Sequence, residues 1–409
     1  MNAALDDMSN VLAMVLAGGQ GERLHPLTRN RAKPAVPFGG IYRIIDMTLS
    51  NCLHSGCRRI LAAVQYKSLS LERHIRYAWN IMHSELGEFL DIISPQFRVS
   101  DHWYLGTADA VYQNLYSIER ENPELVLVLA GDHIYKMNYQ RMVRFHREHG
   151  AEITVGAIQI PKQQAKRFGV LDIDDNQRVR EFVEKPSSPK CIPGSDDVTL
   201  ASMGVYVFNT DTLKELLTDD AQRSGSHDFG KDILPKVVHD KRVYAYNFLD
   251  ENRKGPLYWR DVGTVDAYWE ANMDLIEVDP VFNLYDTQWP LRTKHDVAPP
   301  AKFVFADEGE RFGAAIDSIV SPGCIVSGGI VNRSVLSPFV RIHSYTHCDG
   351  CILMDRVSVG RYSKLRRVIV EKRVNIPRNT VIGYDLKEDA KRFHVTPGGI
   401  VVVEAKDFQ

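Results

Sequence analysis

Residues 11–34, "VLAMVLAGGQGERLHPLTRNRAKP", decide the fold. Val11 to Ala17 is an uncharged apolar run, as a strand covered on both faces requires. Gly18, Gly19 and Gly21 follow, then Arg23, and later Lys33 and Pro34. Glycine lets backbone N–H groups approach a ligand without side-chain interference. Successive N–H groups at a strand-to-helix turn form an anion-binding nest. Arg23 then offers a planar fork, and Lys33 a point charge, to a polyphosphate. A plain tight turn with surface cations would explain the glycines alone; the spaced Arg and Lys favour phosphate. Neither G-x-x-x-x-G-K-[ST] nor G-x-G-x-x-G is present, so this is not a P-loop or a dinucleotide fingerprint.

Outward from this loop, two textures follow one another. To about residue 275, β-rich runs ("RILAAVQ", "LVLVLAGD", "EITVGAIQI", "SMGVYVFN") alternate with helix-length segments. That pattern predicts an α/β domain around a mostly parallel sheet. Near the C-terminus, Val359 and Leu365 stand six apart, as do Val370, Ile376 and Ile382, and earlier Ile319 and Ile325. A six-residue apolar period with turn residues between predicts a left-handed parallel β-helix of roughly four coils. The expected division is an α/β domain over 11–280, an ordered connector over 281–313 and a β-helix domain over 314–409.

Composition narrows the class. The 409 residues are 44% hydrophobic and 25% charged, ordinary for a globular protein. A net charge of −2 gives no basic footprint, so nucleic acid is not an expected partner. No apolar run approaches the roughly 18–20 residues of a membrane span, so no membrane partner is expected either. "MNAALDDMSN" lacks the features of a signal peptide, and six scattered cysteines read as free thiols; both predict a cytoplasmic protein.

Further candidates cluster at strand ends. "LVLVLAGDHIYK" places Asp132 at the carboxyl end of a buried strand, where α/β sheets hold ligands. "YWRDVGTVDAYWEAN" supplies Asp261. Two such carboxylates with phosphate oxygens make an ordinary Mg²⁺ site, although Asp132 alone reads equally as a turn former. Lys185 in "EFVEKPSSP" reads by itself as a solvated lysine, and Gly106–Thr107 as a base contact or an N-cap.

Taken with "RAKPAVPFGG", "YRIIDMTLSN", "GTADAVYQN", "ASMGVYVF", "SHDFGKDILP" and "PPAKFV", these motifs resemble the bacterial ADP-glucose pyrophosphorylases over residues 11 to 400. "HDFGKD", "WRDVGT" and "PPAKFV" are the most particular to that family. The resemblance implies transfer of AMP from ATP to glucose 1-phosphate, giving ADP-glucose and pyrophosphate for glycogen synthesis. It implies that Gly18, Gly19, Gly21, Arg23 and Lys33 hold the ATP phosphates, with Gln65, Gly106 and Thr107 on the adenine side. Tyr104, Gly169, Glu184, Lys185 and Ser202 match the glucose-1-phosphate pocket, with Lys185 on the sugar phosphate. Asp132 and Asp261 match the Mg²⁺ ligands; Gln65 and Trp103 fall where the family passes regulatory signals. The implied fold is a Rossmann-like nucleotidyltransferase domain followed by a left-handed β-helix, the implied catalytic set Asp132, Arg23, Lys33 and Lys185, and the implied assembly a homotetramer.

Regulation departs from the family pattern. Asn30, Pro37 and Val395 stand where the best-known relatives carry basic or histidine residues, while Arg31, Arg43, Arg366, Arg367, Lys391 and Arg392 remain. The expectation is an inter-domain anion site (Arg31, Arg43, Arg366, Lys391, Arg392) for a phosphorylated or organic-acid effector, a monophosphate before a bisphosphate. "HCDGC" (Cys348, Cys351) suggests zinc only superficially, since no second pair accompanies it. Two rivals remain: a pyrophosphorylase for UTP, dTTP or GTP, and a regulatory subunit without turnover.

Overall fold

A computed structural model describes residues 8–19, 21–96, 98, 102–249, 256–307 and 311–408. The N-terminal segment read for a signal peptide lies largely outside them.

The opening run forms a strand, Val11–Leu16, at the centre of a nine-stranded sheet. It is flanked in parallel by Arg59–Ala63 and Leu125–Ala130, and Phe89–Ile93 extends the same side. Beyond Leu125–Ala130 the long strand Val198–Asn209 runs antiparallel and carries the remaining strands. Alternation divides the central strand between two cores. Val11, Ala13 and Val15 face one, with helices Ile45–His54, Leu69–Ala78 and Tyr139–Glu148 packed over it. Leu12 and Met14 face the other, beneath helices Thr107–Tyr112, Leu115–Glu121 and Thr210–Ala221. Both faces are covered, hence the absence of any polar residue in the run.

Register then sets the site. Leu16 pairs with both Ala63 and Ala130. The chain therefore leaves three adjacent strands at one level, and Gly18, Gln65 and Asp132 emerge side by side.

The C-terminal part is a β-helix of three sheets, each with five parallel levels. Arg341 pairs with Ser358, and Ser358 with Asn375, seventeen positions on each time. These later coils are thus a residue short of three full hexads, and earlier turns such as Ile325 to Arg341 are shorter still, which explains why the six-residue period is ragged in sequence. Inward columns fill the coil, one of them Val331, Cys348, Leu365 and Ile382. Cys348 is therefore a core residue of the stack. The connector expected to run to 313 ends sooner: Lys302–Val304 already pairs in parallel with Ile325–Ser327 as part of the coil. The third sheet is apolar on both faces. Leu336, Leu353, Val370 and Val403 point into the coil, while Val335, Ile352, Ile369 and Val402 pack on Leu24, Leu27, Phe38, Ile44 and Met47 of the first domain. Among the described residues no helix is long and apolar enough to cross a membrane.

Candidate active site

The strand ends open into a cleft of about 900 Å³. Gly18, Gly19, Gly21, Arg23, Lys33, Gln65, Tyr104, Gly106, Thr107, Asp132, Gly169, Glu184, Ser202 and Asp261 all line it, fourteen positions from nine separate segments. Gly21 has φ +64°, the left-handed conformation that glycine adopts without strain, and its carbonyl accepts a hydrogen bond from Thr28 Oγ1 at 2.9 Å. A Cβ on Gly19 would meet no protein atom within 4 Å, so this backbone faces open cleft.

Lys33 is the electrostatic centre. Its side chain is 7% exposed, and Nζ lies 2.9 Å from Asp132 Oδ2 and 2.8 Å from Asp261 Oδ1. Asp261 reaches this point because Trp259–Asp261 pairs antiparallel with His133–Tyr135, setting Asp261 opposite His133. Burial alone would raise the Asp132 carboxyl, but Lys33, then His133, holds it down at about 2. Asp261 is likewise lowered: burial opposes ionisation, and Lys33 and His133 reverse it. A carboxyl depressed in the folded state stabilises the protein above its unfolded value and loses that contribution as pH falls through the folded one. Urea midpoints should therefore drop from about pH 4 toward pH 2, and more steeply for the wild type than for Asp132→Asn, because that residue titrates near 2. Equal slopes would show that the pair does not stabilise the fold.

The opposite wall is built around Glu184. Its Oε2 would be 2.9 Å from a Cβ on either Gly169 or Gly230, so the carboxylate is seated where both residues lack a side chain. Tyr104 Oη accepts from Asn114 Nδ2 at 2.9 Å, and Ser202 Oγ accepts from the Gly204 N–H at 3.3 Å. Thr107 caps the join between walls: its Oγ1 donates to Asp228 Oδ2 at 2.9 Å and accepts from the Phe229 N–H at 3.1 Å. Gln65 Nε2 donates to the Tyr104 carbonyl at 3.3 Å, while its Oε1 is buried with no partner among the described residues.

Two predicted residues stand outside the lining. Lys185 follows the strand Val179–Glu184 with φ +50°, is half exposed, and pairs with Glu184 at 2.9 Å. Trp103, 50% exposed, stacks on Tyr66 with ring centroids 5.3 Å apart. Sequence reasoning missed His133, Phe168, Tyr206, Asp228 and Trp259, all in the cleft wall. Asp228 and Trp259 belong to the motifs "HDFGKD" and "WRDVGT", where local spacing carries no sign of which face a residue takes.

The expected anion-site residues do not form one group. Arg31 makes a bidentate pair with Glu371 (2.9 and 2.8 Å), and Arg43 donates to Ser70. Lys372, absent from the sequence reading, sits with these two: burial, then Arg43 and Arg31, pushes its ammonium down to about 8. Arg366 instead approaches Asp349, Lys391 pairs with Glu388, and Arg392 lies over Phe393 and Phe408.

Residues 12–278 match the family described as Nucleotidyl transferase, and residues 299–403 match GlmU-like, C-terminal hexapeptide. The class is therefore a nucleotidyltransferase with a hexapeptide coil behind it. Relatives named glucose-1-phosphate adenylyltransferase include one from Koribacter versatilis, 56% identical over 97% of this chain and 95% of its own length. Those from Rhodopirellula baltica and Methylococcus capsulatus are 56% and 52% identical over 97% and 96% of this chain, and 90% and 92% of their own. The chain belongs to the glucose-1-phosphate adenylyltransferase family.

Proposed function

We propose that this chain transfers the adenylyl group of ATP to glucose 1-phosphate, releasing pyrophosphate and forming ADP-glucose. The carrying observation is Lys33 held between Asp132 and Asp261 beside the glycine loop. A phosphate oxygen of the sugar phosphate attacks the α-phosphorus, and the bond to the pyrophosphate oxygen breaks. That nucleophile is already anionic near neutral pH, since the second pKa of a phosphate monoester is about 6. No general base is required. Arg23, Lys33 and the glycine N–H groups hold the polyphosphate and offset charge on the leaving pyrophosphate. Asp132 and Asp261 are ionised and converge on one cation, which suits a hard divalent ion, Mg²⁺ in this reading. Such an ion would supply further positive charge against the phosphates. The unpartnered Oε1 of Gln65 is a natural acceptor for the adenine amino group. Glu184, Tyr104 and Ser202 line the sugar side, with Lys185 swinging in from the rim to the sugar phosphate.

Pyrophosphate release measured with ATP, UTP, dTTP and GTP tests the reading: turnover with ATP alone supports it. Preference for another nucleotide overturns it, as does no turnover from folded protein.

Regulation belongs to the same proposal. Arg31, Arg43 and Lys372 form an anion site between the domains, and Glu371 already neutralises Arg31. The remaining charge suits a monophosphate or a carboxylate before a bisphosphate. Lys372→Met should raise the effector concentration for half-activation by about tenfold or more, the worth of one charge-assisted hydrogen bond. With the wild type, effector binding should weaken as pH rises past about 8, where Lys372 loses its proton. An unchanged titration curve in the variant would remove Lys372 from the site. The Tyr66–Trp103 stack at the cleft mouth is the proposed relay beside Gln65. A homotetramer completes the proposal, testable by sedimentation, and six free cysteines support a cytoplasmic location.

A further inference from the structure

Among the described residues, Lys33 makes its ion pairs with the two carboxylates proposed to take the metal and with no residue outside that pair. Its stem is firmly held. A Cβ on Gly21 would stand 3.1 Å from Lys33 Cβ, and Lys33 opens the rigid turn Lys33–Ala35 with Pro34 next to it. The side chain is almost wholly buried, whereas those of Asp132 and Asp261 are 32% and 21% exposed toward the cleft. An ammonium so placed satisfies two carboxylates that would otherwise repel each other across a few ångströms.

We propose that Lys33 is a resident counter-ion that keeps a divalent cation from settling on Asp132 and Asp261 until a polyphosphate draws the ammonium away. This rests on the adenylyltransferase reading above and deepens it. With Lys33 in place, the two carboxylates carry a net charge of only minus one, too little to strip water from a small dication. Placing the dication there would also set its positive charge against a buried ammonium with no other carboxylate paired to it among the described residues. The triphosphate changes both conditions, since it gives Lys33 new anionic oxygens and supplies further ligands itself. Metal and nucleotide then bind with positive coupling, and by linkage each tightens the other. The chain thereby avoids a metal-loaded empty site, and the same lysine serves in both states.

The probe is Mn²⁺ alone, followed by electron paramagnetic resonance of the free ion, with purified protein and no nucleotide. The wild type should show no site sensitive to Asp132→Asn at Mn²⁺ concentrations up to millimolar. Lys33→Met should gain such a site, at least about tenfold tighter, within the usual span of coupling between ligands. A rise in melting temperature on adding Mn²⁺, present in Lys33→Met and absent in the wild type, should accompany it. Equal Mn²⁺ affinity in wild type and Lys33→Met would overturn the proposal. So would a wild-type site, lost in Asp132→Asn, that fills readily without nucleotide; that result needs no Lys33 variant to fold. The readout is metal binding rather than turnover, so failure here leaves the nucleotide-panel result for the adenylyltransferase reading untouched.

Discussion

Replacing Asp132 with asparagine lowers turnover by about 10²–10³-fold, the scale of losing one preorganised charged contact at developing charge. Asparagine keeps the shape of the side chain and so isolates its charge. Lys33 would retain Asp261 at 2.8 Å but lose its partner at 2.9 Å, leaving a buried ammonium with one carboxylate instead of two. Any divalent cation would lose a hard anionic ligand as well, so the rate loss could exceed that range while KM for glucose 1-phosphate changes little. Pyrophosphate release across both substrate concentrations measures this, with melting temperature as the control for folding. A variant with near wild-type kcat would show that Asp132 is a structural residue at a strand end, its plainest reading in sequence.

The second large effect is expected at Gly106, which sits in extended backbone with φ −156°, so conformation is not the constraint. Space is: a Cβ there would lie 2.1 Å from the Ser226 carbonyl oxygen and 2.4 Å from that of His227. Those atoms are backbone and cannot rotate aside. Accommodating alanine means pushing apart the helix start and the segment that holds it, through Ala108 N–H to His227 O at 2.8 Å and Thr107 to Asp228 at 2.9 Å. Gly230, beside Glu184 on the opposite wall of the cleft, belongs to the same segment. Gly106→Ala should therefore cost about 3 kcal/mol of stability, at the upper end for overpacking. It should also lower kcat/KM by about 10²-fold, as expected when reacting groups are displaced by an ångström. Gly19→Ala is the contrast, since its added methyl meets only open cleft. That variant should keep its melting temperature and weaken ATP binding. Denaturant midpoints and ATP KM for the pair separate the two; similar losses of stability in both would contradict the packing argument.

Much of this arrangement was legible in sequence because it lies at strand ends. An uncharged run that stops at Gly18, and another that stops at Asp132, announce both the strands and the edge where they finish. Asp261 was legible as a carboxylate to set beside Asp132, but the contact that brings it there was not. Its place depends on an antiparallel pairing with His133 across more than a hundred residues, which no local period records. The same limit applies to the proposed anion site. Arg31 and Arg43 stand out as charges in sequence, yet only tertiary structure supplies Glu371 to pair with the first and Lys372 beside both. Lys185 shows the reverse case, a motif residue whose side chain rests at the rim with Glu184. The β-helix was readable where consecutive hexads happen to be complete, from Val370 to Ile382, and obscured where the seventeen-residue coil leaves one side short.

The apolar face shared by Val335, Ile352, Ile369 and Val402 with Leu24, Leu27, Phe38 and Met47 bears on how such chains can be inherited. A coil grafted from a distant relative would bring a foreign surface to residues that flank the glycine loop itself. Exchange of the two halves is thus viable only if the strip between the glycine loop and the first helix travels with the coil. A change of volume on one side of that contact would call for a matching change on the other, although the sequence seam between the halves looks like a natural place to cut.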